Sequence, residues 1–137
     1  DKSLGSKLHD MGIDVLCPHK GFTESHTLAV DVSSNGGGAE ASRDLETANI
    51  ITNKNMLPGD ESAVRPSGIR LGTQELTRVG MEEGEMKEVA SLIHRVVSKK
   101  EDPRKVREDV RELKRDFTRV RYCYCENCEA YEYHEFA

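Results

Sequence analysis

The sequence predicts an α+β fold, in which a small, mostly antiparallel sheet carries helices on one face. Short segments of strand character, the clearest of which alternates over residues 26–32, occupy the first half of the chain. Segments with an apolar stripe at helical spacing open the chain and fill its second half. We expect the order helix–strand–strand–helix–strand–strand–helix–helix. Short strands with helices packed on one side are typical of the α+β class.

The first half of the chain begins with a helix. This segment has an apolar side chain on each turn, namely Leu4, Leu8 and Met11. Gly12 follows where a helix needs a left-handed C-cap. Strands are predicted at residues 13–16 and 26–32. The three glycines at residues 36–38 lack the lysine and hydroxyl residue of a phosphate-binding loop, so we interpret them as a turn before the next helix.

The rest of the chain contains a short helix, two strands and then the longer helices. A short amphipathic helix is expected at residues 41–48, and strands at 49–52 and 69–71. A strongly periodic helix follows from Glu82. The Asp-Pro pair at residues 102–103 then supplies an N-cap and a first-turn proline for the last helix.

Composition excludes several classes of protein. The net charge of -5 argues against a general nucleic-acid binder, which needs a basic field. No apolar run approaches the roughly 20 residues that cross a bilayer, and the charged opening has no secretory apolar core. Three of the four cysteines crowd near the end, which is unlike a secreted disulfide framework. We expect a cytoplasmic protein without nucleic-acid or membrane partners. Because it opens without methionine, we interpret its start as a cut inside a longer protein or an arbitrary beginning.

Arg70 is the first candidate for chemistry. It stands between Gly68 and Gly72 in a short predicted strand, so the backbone around it is uncrowded. A guanidinium group offers a planar fork of donors that matches a carboxylate. The residue pattern alone leaves two interpretations open, an anion receptor and an internal ion pair with one of the many acids.

Four linked motifs surround this arginine. They are Asn-Lys-Asn at 53–55, Pro-Gly-Asp at 58–60, PSGIRLGT at 66–73 and LTRVGM at 76–81. In this order and spacing they resemble the C-terminal lobe of serine hydroxymethyltransferases, and the resemblance runs from about residue 21 to about residue 97. It implies a pyridoxal-phosphate enzyme of fold type I. Such enzymes exchange a one-carbon unit between serine and a reduced pterin, giving glycine, and are usually homodimers or larger assemblies.

The resemblance also implies roles for individual residues. Arg70 is similar to the residue that grips the amino-acid carboxylate. Asn55 is similar to one that contacts the pterin, and the alternative for its amide is a bond within its own loop. The family's Schiff-base lysine and other cofactor residues belong to a larger domain upstream, and neither Lys20 nor Lys54 takes their place. We therefore expect residues 1–120 to be a lobe that is inactive as an isolated chain.

Two identities stay open at this point. The short loop before the PSGIRLGT motif resembles archaeal members, so the co-substrate is either tetrahydrofolate or tetrahydromethanopterin. The alternatives to the hydroxymethyltransferase are the lobe of another fold type I aminotransferase or aldolase, and a free-standing binding or zinc-carrying module with the same fold.

The tail at residues 121–137 is not explained by the resemblance. Four side chains there could form a tetrahedral zinc site, namely Cys123, Cys125, Cys128 and His134. Cys123 and Cys125 would point to opposite sides of a strand, which is unfavourable for one metal. A redox pair at Cys125 and Cys128, or ordinary free thiols, are the alternatives.

Overall fold

The computed structural model describes residues 1–124, which form five α-helices and one four-stranded sheet. The helices are α1 (Lys2–Asp10), α2 (Gly38–Thr47), α3 (Gln74–Arg78), α4 (Met86–Val97) and α5 (Pro103–Lys114). The strands are β1 (Asp14–Val15), β2 (Thr27–Asp31), β3 (Asn53–Asn55) and β4 (Gly68–Gly72). The predicted α+β class is confirmed. Among the described helices, none is long and apolar enough to span a membrane.

The sheet has the strand order β1-β2-β4-β3 and is antiparallel throughout. Its inward residues are buried in the same core as apolar residues of the helices; on β2 and β4 these are Leu28, Val30, Ile69 and Leu71. Of the alternate residues, Gly68 is buried, and the others, among them Ala29 and Arg70, are half-buried or exposed. The helices therefore cover one face, as the sequence predicts, and the other face stays open around Arg70.

Helices α4 and α5 are joined by an ionic cluster as well as by the core. The Arg95 guanidinium contacts Glu101 at 2.7 Å and Asp109 at 2.6 Å. The hydrogen bond to Glu101 is the main cause that raises the pKa of Arg95, and the same bond lowers the pKa of Glu101. The predicted N-cap is confirmed, because Asp102 accepts a hydrogen bond from the Arg104 amide at 3.0 Å.

The predicted strand at residues 49–52 is wrong. Asn49 has φ +65° and, with Ile50, completes the C-terminus of α2. Their amides donate to the carbonyls of Glu46 and Leu45, both at 2.8 Å. Asparagine adopts the left-handed conformation of a helix C-cap more readily than most residues. Asn49 and Ile50 therefore belong to the C-terminal cap of α2, and the next strand is β3, which begins at Asn53.

The region between β4 and α4 also differs from the prediction. No element is predicted between the strand at residues 69–71 and a helix from Glu82, yet α3 forms at Gln74–Arg78 and α4 begins only at Met86. Gly80, at φ +92°, ends α3, and the Met81 amide bonds the Leu76 carbonyl at 2.9 Å. Five residues are too few for an apolar period to emerge in the sequence.

Candidate functional site

Arg70 lies in the middle of the open face of the sheet. It is exposed on β4, where Ala29 of β2 and Asn53 of β3 are its lateral partners. Along the strand its neighbours on the same face are Gly68 and Gly72, since side chains alternate between faces. Three of these four neighbours carry no side chain beyond a methyl group. Arg70 itself is exposed, while the side chains of Leu57 and Gln74 occupy the space beside the two glycines.

The described partner of Arg70 is an amide. Its Nη2 donates to Oδ1 of Asn53 at 3.3 Å. Within residues 1–124 no carboxylate forms an ion pair with Arg70. Asp31 lies on β2, two residues after the Ala29 that pairs with Arg70, and instead accepts a hydrogen bond from the Ser33 amide at 2.8 Å. The internal ion pair that the residue pattern left open is not formed in the described chain, and the positive charge is available for an anion.

Asn55 is placed on the strand next to Arg70. It lies opposite Gly68 and, two residues after Asn53, on the same side of β3. Its Nδ2 donates to the Met56 carbonyl at 2.7 Å, which is the bond within its own loop that the sequence left as the alternative. The amide oxygen accepts no hydrogen bond from residues 1–124. This oxygen is the atom that remains for a ligand.

Asp60 closes the loop between these two strands. One carboxylate oxygen, Oδ2, accepts the Ser67 amide at 2.8 Å and the Leu57 amide at 2.9 Å. These bonds, the one from Ser67 first, lower the pKa of Asp60. The side chain of Leu57 packs over Gly68, where an added Cβ would lie 2.5 Å from the Leu57 Cγ. No role for Asp60 is predicted from the sequence, although it belongs to the Pro-Gly-Asp motif and follows a Pro-Gly turn.

The start of β4 is held from a second side by the β2–α2 connection. The Val32 amide donates to the Ser67 carbonyl at 3.0 Å, and the Gly38 amide donates to the Pro66 carbonyl at 2.8 Å. A Cβ on Gly38 would lie 2.1 Å from the Gly68 carbonyl oxygen. The glycine run is therefore a packing site against β4, in agreement with its interpretation as a turn before a helix.

The two lysines considered in the sequence are not lateral partners of Arg70 in the sheet. Lys54 is exposed, lies opposite Ile69 and alternates with Asn53 and Asn55, so it belongs to the other side of β3. Lys20 is exposed in the short 3₁₀ turn Pro18–Lys20, outside the sheet.

The proposed zinc ligands fall mostly outside the described residues. Of the four, only Cys123 is described; it is exposed and lies 3.7 Å from the Val120 carbonyl. Cys125, Cys128 and His134 lie outside residues 1–124, and within that range no group of three metal-binding side chains occurs. The structure thus gives zinc no support, and the tail site stays a prediction.

Arg70 lines neither of two cavities in the described chain. One, of about 650 Å³, is lined by polar residues that include Thr23, Ser25 and Thr73. The other, of about 440 Å³, is mostly apolar and lies among α3, α4 and α5. Neither is lined by Arg70 or Asn55. The face that carries these two residues is an open surface.

Comparison with known proteins decides the family. The family model described as "Serine hydroxymethyltransferase" matches residues 1–93. The chain belongs to the serine hydroxymethyltransferase family. It is 52% identical over 134 residues to the serine hydroxymethyltransferase of Thermoplasma volcanium, covering 96% of this chain and 31% of that protein. The serine hydroxymethyltransferase of Methanopyrus kandleri is 50% identical over 138 residues, covering 99% of this chain and 32% of that protein.

A solved structure supports the fold. The L-threonine transaldolase from Pseudomonas fluorescens, in its internal aldimine state, matches with a TM-score of 0.74 and 31% sequence identity. The match covers 85% of this chain and 26% of the transaldolase chain. This chain therefore spans about a third of the length of the serine hydroxymethyltransferases it matches.

Proposed function

We propose that this chain is the substrate-gripping lobe of an enzyme that interconverts serine plus tetrahydropterin with glycine plus methylene-tetrahydropterin. The observation that carries the proposal is Arg70, an exposed cation on an open sheet face, which forms no ion pair within residues 1–124. Membership of the family supports the reaction. It remains a proposal because the chain spans only about a third of those relatives.

In this proposal Arg70 binds the carboxylate of serine or glycine. Two parallel N–H···O bonds fix both the position and the plane of a carboxylate. The Asn53 amide, at 3.3 Å, restrains one nitrogen of the fork before the substrate arrives. The clamp thereby orients serine for reaction as well as retaining it, and this orientation is its contribution to the rate.

The reduced pterin is proposed to contact Asn55. An amide group both donates and accepts, which suits the edge of a heterocycle. With Nδ2 bonded to the Met56 carbonyl, Oδ1 is the atom proposed to accept a hydrogen bond from the pterin. Tetrahydrofolate and tetrahydromethanopterin present this chemistry alike, so both belong in the assay.

Pyridoxal phosphate is the cofactor that the family implies, and residues 1–124 do not fit its anchor. Lys54 belongs to the other side of β3 from Asn53 and Asn55, and Lys20 lies in a 3₁₀ turn outside the sheet. When bound, the cofactor supplies an electron sink for bond cleavage. We propose that it is held by the part of the enzyme for which this chain has no counterpart, in a cytoplasmic homodimer. The isolated chain is then inactive.

The transaldolase likeness favours one second candidate, a related enzyme acting on threonine. A carboxylate clamp serves both amino acids equally, so Arg70 does not distinguish them. The higher identity to the hydroxymethyltransferases, 52% against 31%, supports the pterin reaction as the first proposal. Turnover of L-threonine in the absence of pterin, faster than that of serine with pterin, would reverse this order.

The test replaces Arg70 in the full-length protein. Arg70→Ala is expected to lower kcat/KM for serine about 100-fold, since the two charge-assisted bonds contribute about 3 kcal/mol. The pterin KM and the cofactor's visible absorbance should not change. Arg70→Lys should recover only part of the loss, because an ammonium group cannot form the fork.

Arg43→Ala is the matched control, because Arg43 is an exposed arginine on α2. It should behave as wild type. Serine kinetics that are unchanged in Arg70→Ala would show that Arg70 is not the carboxylate receptor and would remove the main support for the proposed function.

A further inference from the structure

The backbone just before Arg70 is fixed from both sides. Three hydrogen bonds join the two residues just before β4 to two other segments, the loop after β3 and the β2–α2 connection. Ser67 donates to Asp60 at 2.8 Å and accepts from Val32 at 3.0 Å, while Pro66 accepts from Gly38 at 2.8 Å. The two bonds from Val32 and Gly38 join backbone groups of the β2–α2 connection. The bond to Asp60 is the one made by a side chain.

We propose that Asp60 is a positioning residue, which holds β3 and β4 in the spacing that Arg70 and Asn55 need to act on one substrate pair. This rests on the proposed function of those two residues. Asp60 touches neither of them. It acts on the Leu57 amide, two residues after Asn55, and on the Ser67 amide, three residues before Arg70.

The geometry explains why a carboxylate is suited to this place. A single oxygen accepts two amide donors from opposite ends of the loop, at 2.9 and 2.8 Å. Bonds to an ionised acceptor are roughly twice as strong as neutral ones. The same two bonds depress the pKa of Asp60, so the group is ionised at neutral pH. Leu57 adds an apolar contact over Gly68, and its amide bond to Asp60 keeps it there.

Other polar contacts in this loop are local. Ser62 accepts the Val64 amide at 3.2 Å, which spans two residues and connects no strand. The Asp60 amide donates to the Leu57 carbonyl at 3.0 Å, which only forms the turn itself. The Asp60 carboxylate is therefore the group in the loop that joins Leu57 to Ser67, just beyond the last ladder pair of β3 and β4, Asn55 with Gly68.

The consequence for catalysis follows from the sensitivity of reacting geometry. A displacement of about 1 Å in a positioning element can cost about 100-fold in rate. Loosening β4 at Ser67 displaces the Arg70 guanidinium, and loosening β3 at Leu57 displaces the Asn55 amide. Both substrates should be affected together, unlike the effect of Arg70→Ala, which concerns serine alone.

The experiment compares Asp60→Ala, Asp60→Asn and the control Ser62→Ala in the full-length protein. Asp60→Ala is expected to raise the KM of serine and the KM of pterin about 10-fold each, at unchanged cofactor content. Asp60→Asn keeps an acceptor oxygen in place and should recover at least half of each loss on a logarithmic scale. Ser62→Ala should match wild type. Amide hydrogen exchange at Leu57, Ser67 and along β4 should accelerate in Asp60→Ala.

Each other outcome overturns the proposal. A fall of kcat with both KM values unchanged would mean that Asp60 only sets the folded fraction. Unchanged kinetics in Asp60→Ala, or unchanged exchange at Leu57 and Ser67, would mean that the loop does not depend on it. If the wild type itself shows no hydroxymethyltransferase activity, the proposed function fails, and the exchange rates then decide alone whether Asp60 holds the strands.

Discussion

Replacing Gly38 by alanine tests the packing that supports the site. The first turn of α2 approaches β4 so closely that a Cβ on Gly38 would lie 2.1 Å from the carbonyl oxygen of Gly68 and 3.0 Å from that of Pro66. Ordinary contact begins at 3.4 Å, so the first distance is short by 3.4 − 2.1 = 1.3 Å. Both neighbours are backbone atoms, which cannot turn aside as a side chain can. The helix and the strand must therefore separate.

The expected cost combines three effects. Forced overpacking costs about 1–3 kcal/mol. Separation also lengthens the 2.8 Å bond from the Gly38 amide to the Pro66 carbonyl, for about 1 kcal/mol more. Alanine returns about 1 kcal/mol through helix propensity and a less flexible unfolded chain. The net prediction is a loss of about 2 kcal/mol in the local stability of α2 and β4.

Amide hydrogen exchange in the full-length protein measures this loss at the residues concerned, because it reports opening free energies segment by segment. Gly84→Ala is the matched control. Gly84 has no atom within 4 Å of an added Cβ, and its φ lies outside the left-handed range, so that variant should be neutral or slightly stabilised. Exchange in Gly38→Ala as slow as in wild type would refute the close-packing argument.

Two further predictions concern charges. Asn53→Asp should raise the KM of serine at least about 10-fold in steady-state kinetics, because a carboxylate in place of the amide 3.3 Å from Arg70 competes with the substrate for the guanidinium group. Asn53→Ala is the control and should have a smaller effect. A lower serine KM in Asn53→Asp than in Asn53→Ala would contradict the prediction. Glu101→Gln should lower the thermal midpoint at neutral pH, because the Arg95 bond depresses the pKa of Glu101 below its ordinary 4.5. That stabilisation is present above the ordinary pKa of Glu101 and is lost as pH falls through the depressed pKa. In a pH series of thermal melts, the difference in midpoint between wild type and Glu101→Gln should therefore shrink in acid. A difference in midpoint that grew in acid would contradict the prediction.

The general fold could be predicted because its signals are periodic. Alternation in residues 26–32, the helical stripe of α4 and the Asp-Pro start of α5 each follow from local backbone geometry, and the structure confirms them. The strand prediction at residues 49–52 failed because its first residue suits two backbone conformations. Asn49 fits a strand by its neighbours, but it caps a helix by its left-handed conformation.

The candidate site divides in the same way. Arg70 and Asn55 could be named from the sequence because short motifs fix their identity and order. Asp60 and Asn53 could not be given roles, because what they do depends on the register of β3 with β4 and on which amides the loop brings within 3 Å. Register is a long-range property, set by how two strands bury their apolar faces, and no single segment contains it.

The open face around Arg70 is better explained by binding than by stability. A cation meant to stabilise the fold gains most from a charged partner, and Arg95, with two carboxylates within 2.7 Å, has that arrangement. Arg70 lies among Ala29, Gly68 and Gly72, with a neutral amide at 3.3 Å. That neighbourhood contributes little attraction, and an arriving carboxylate would displace no ion pair within residues 1–124. Under the proposed function, a guanidinium group without an internal ion pair would bind a substrate carboxylate without first breaking one, so more of the binding energy would be available for orienting the substrate.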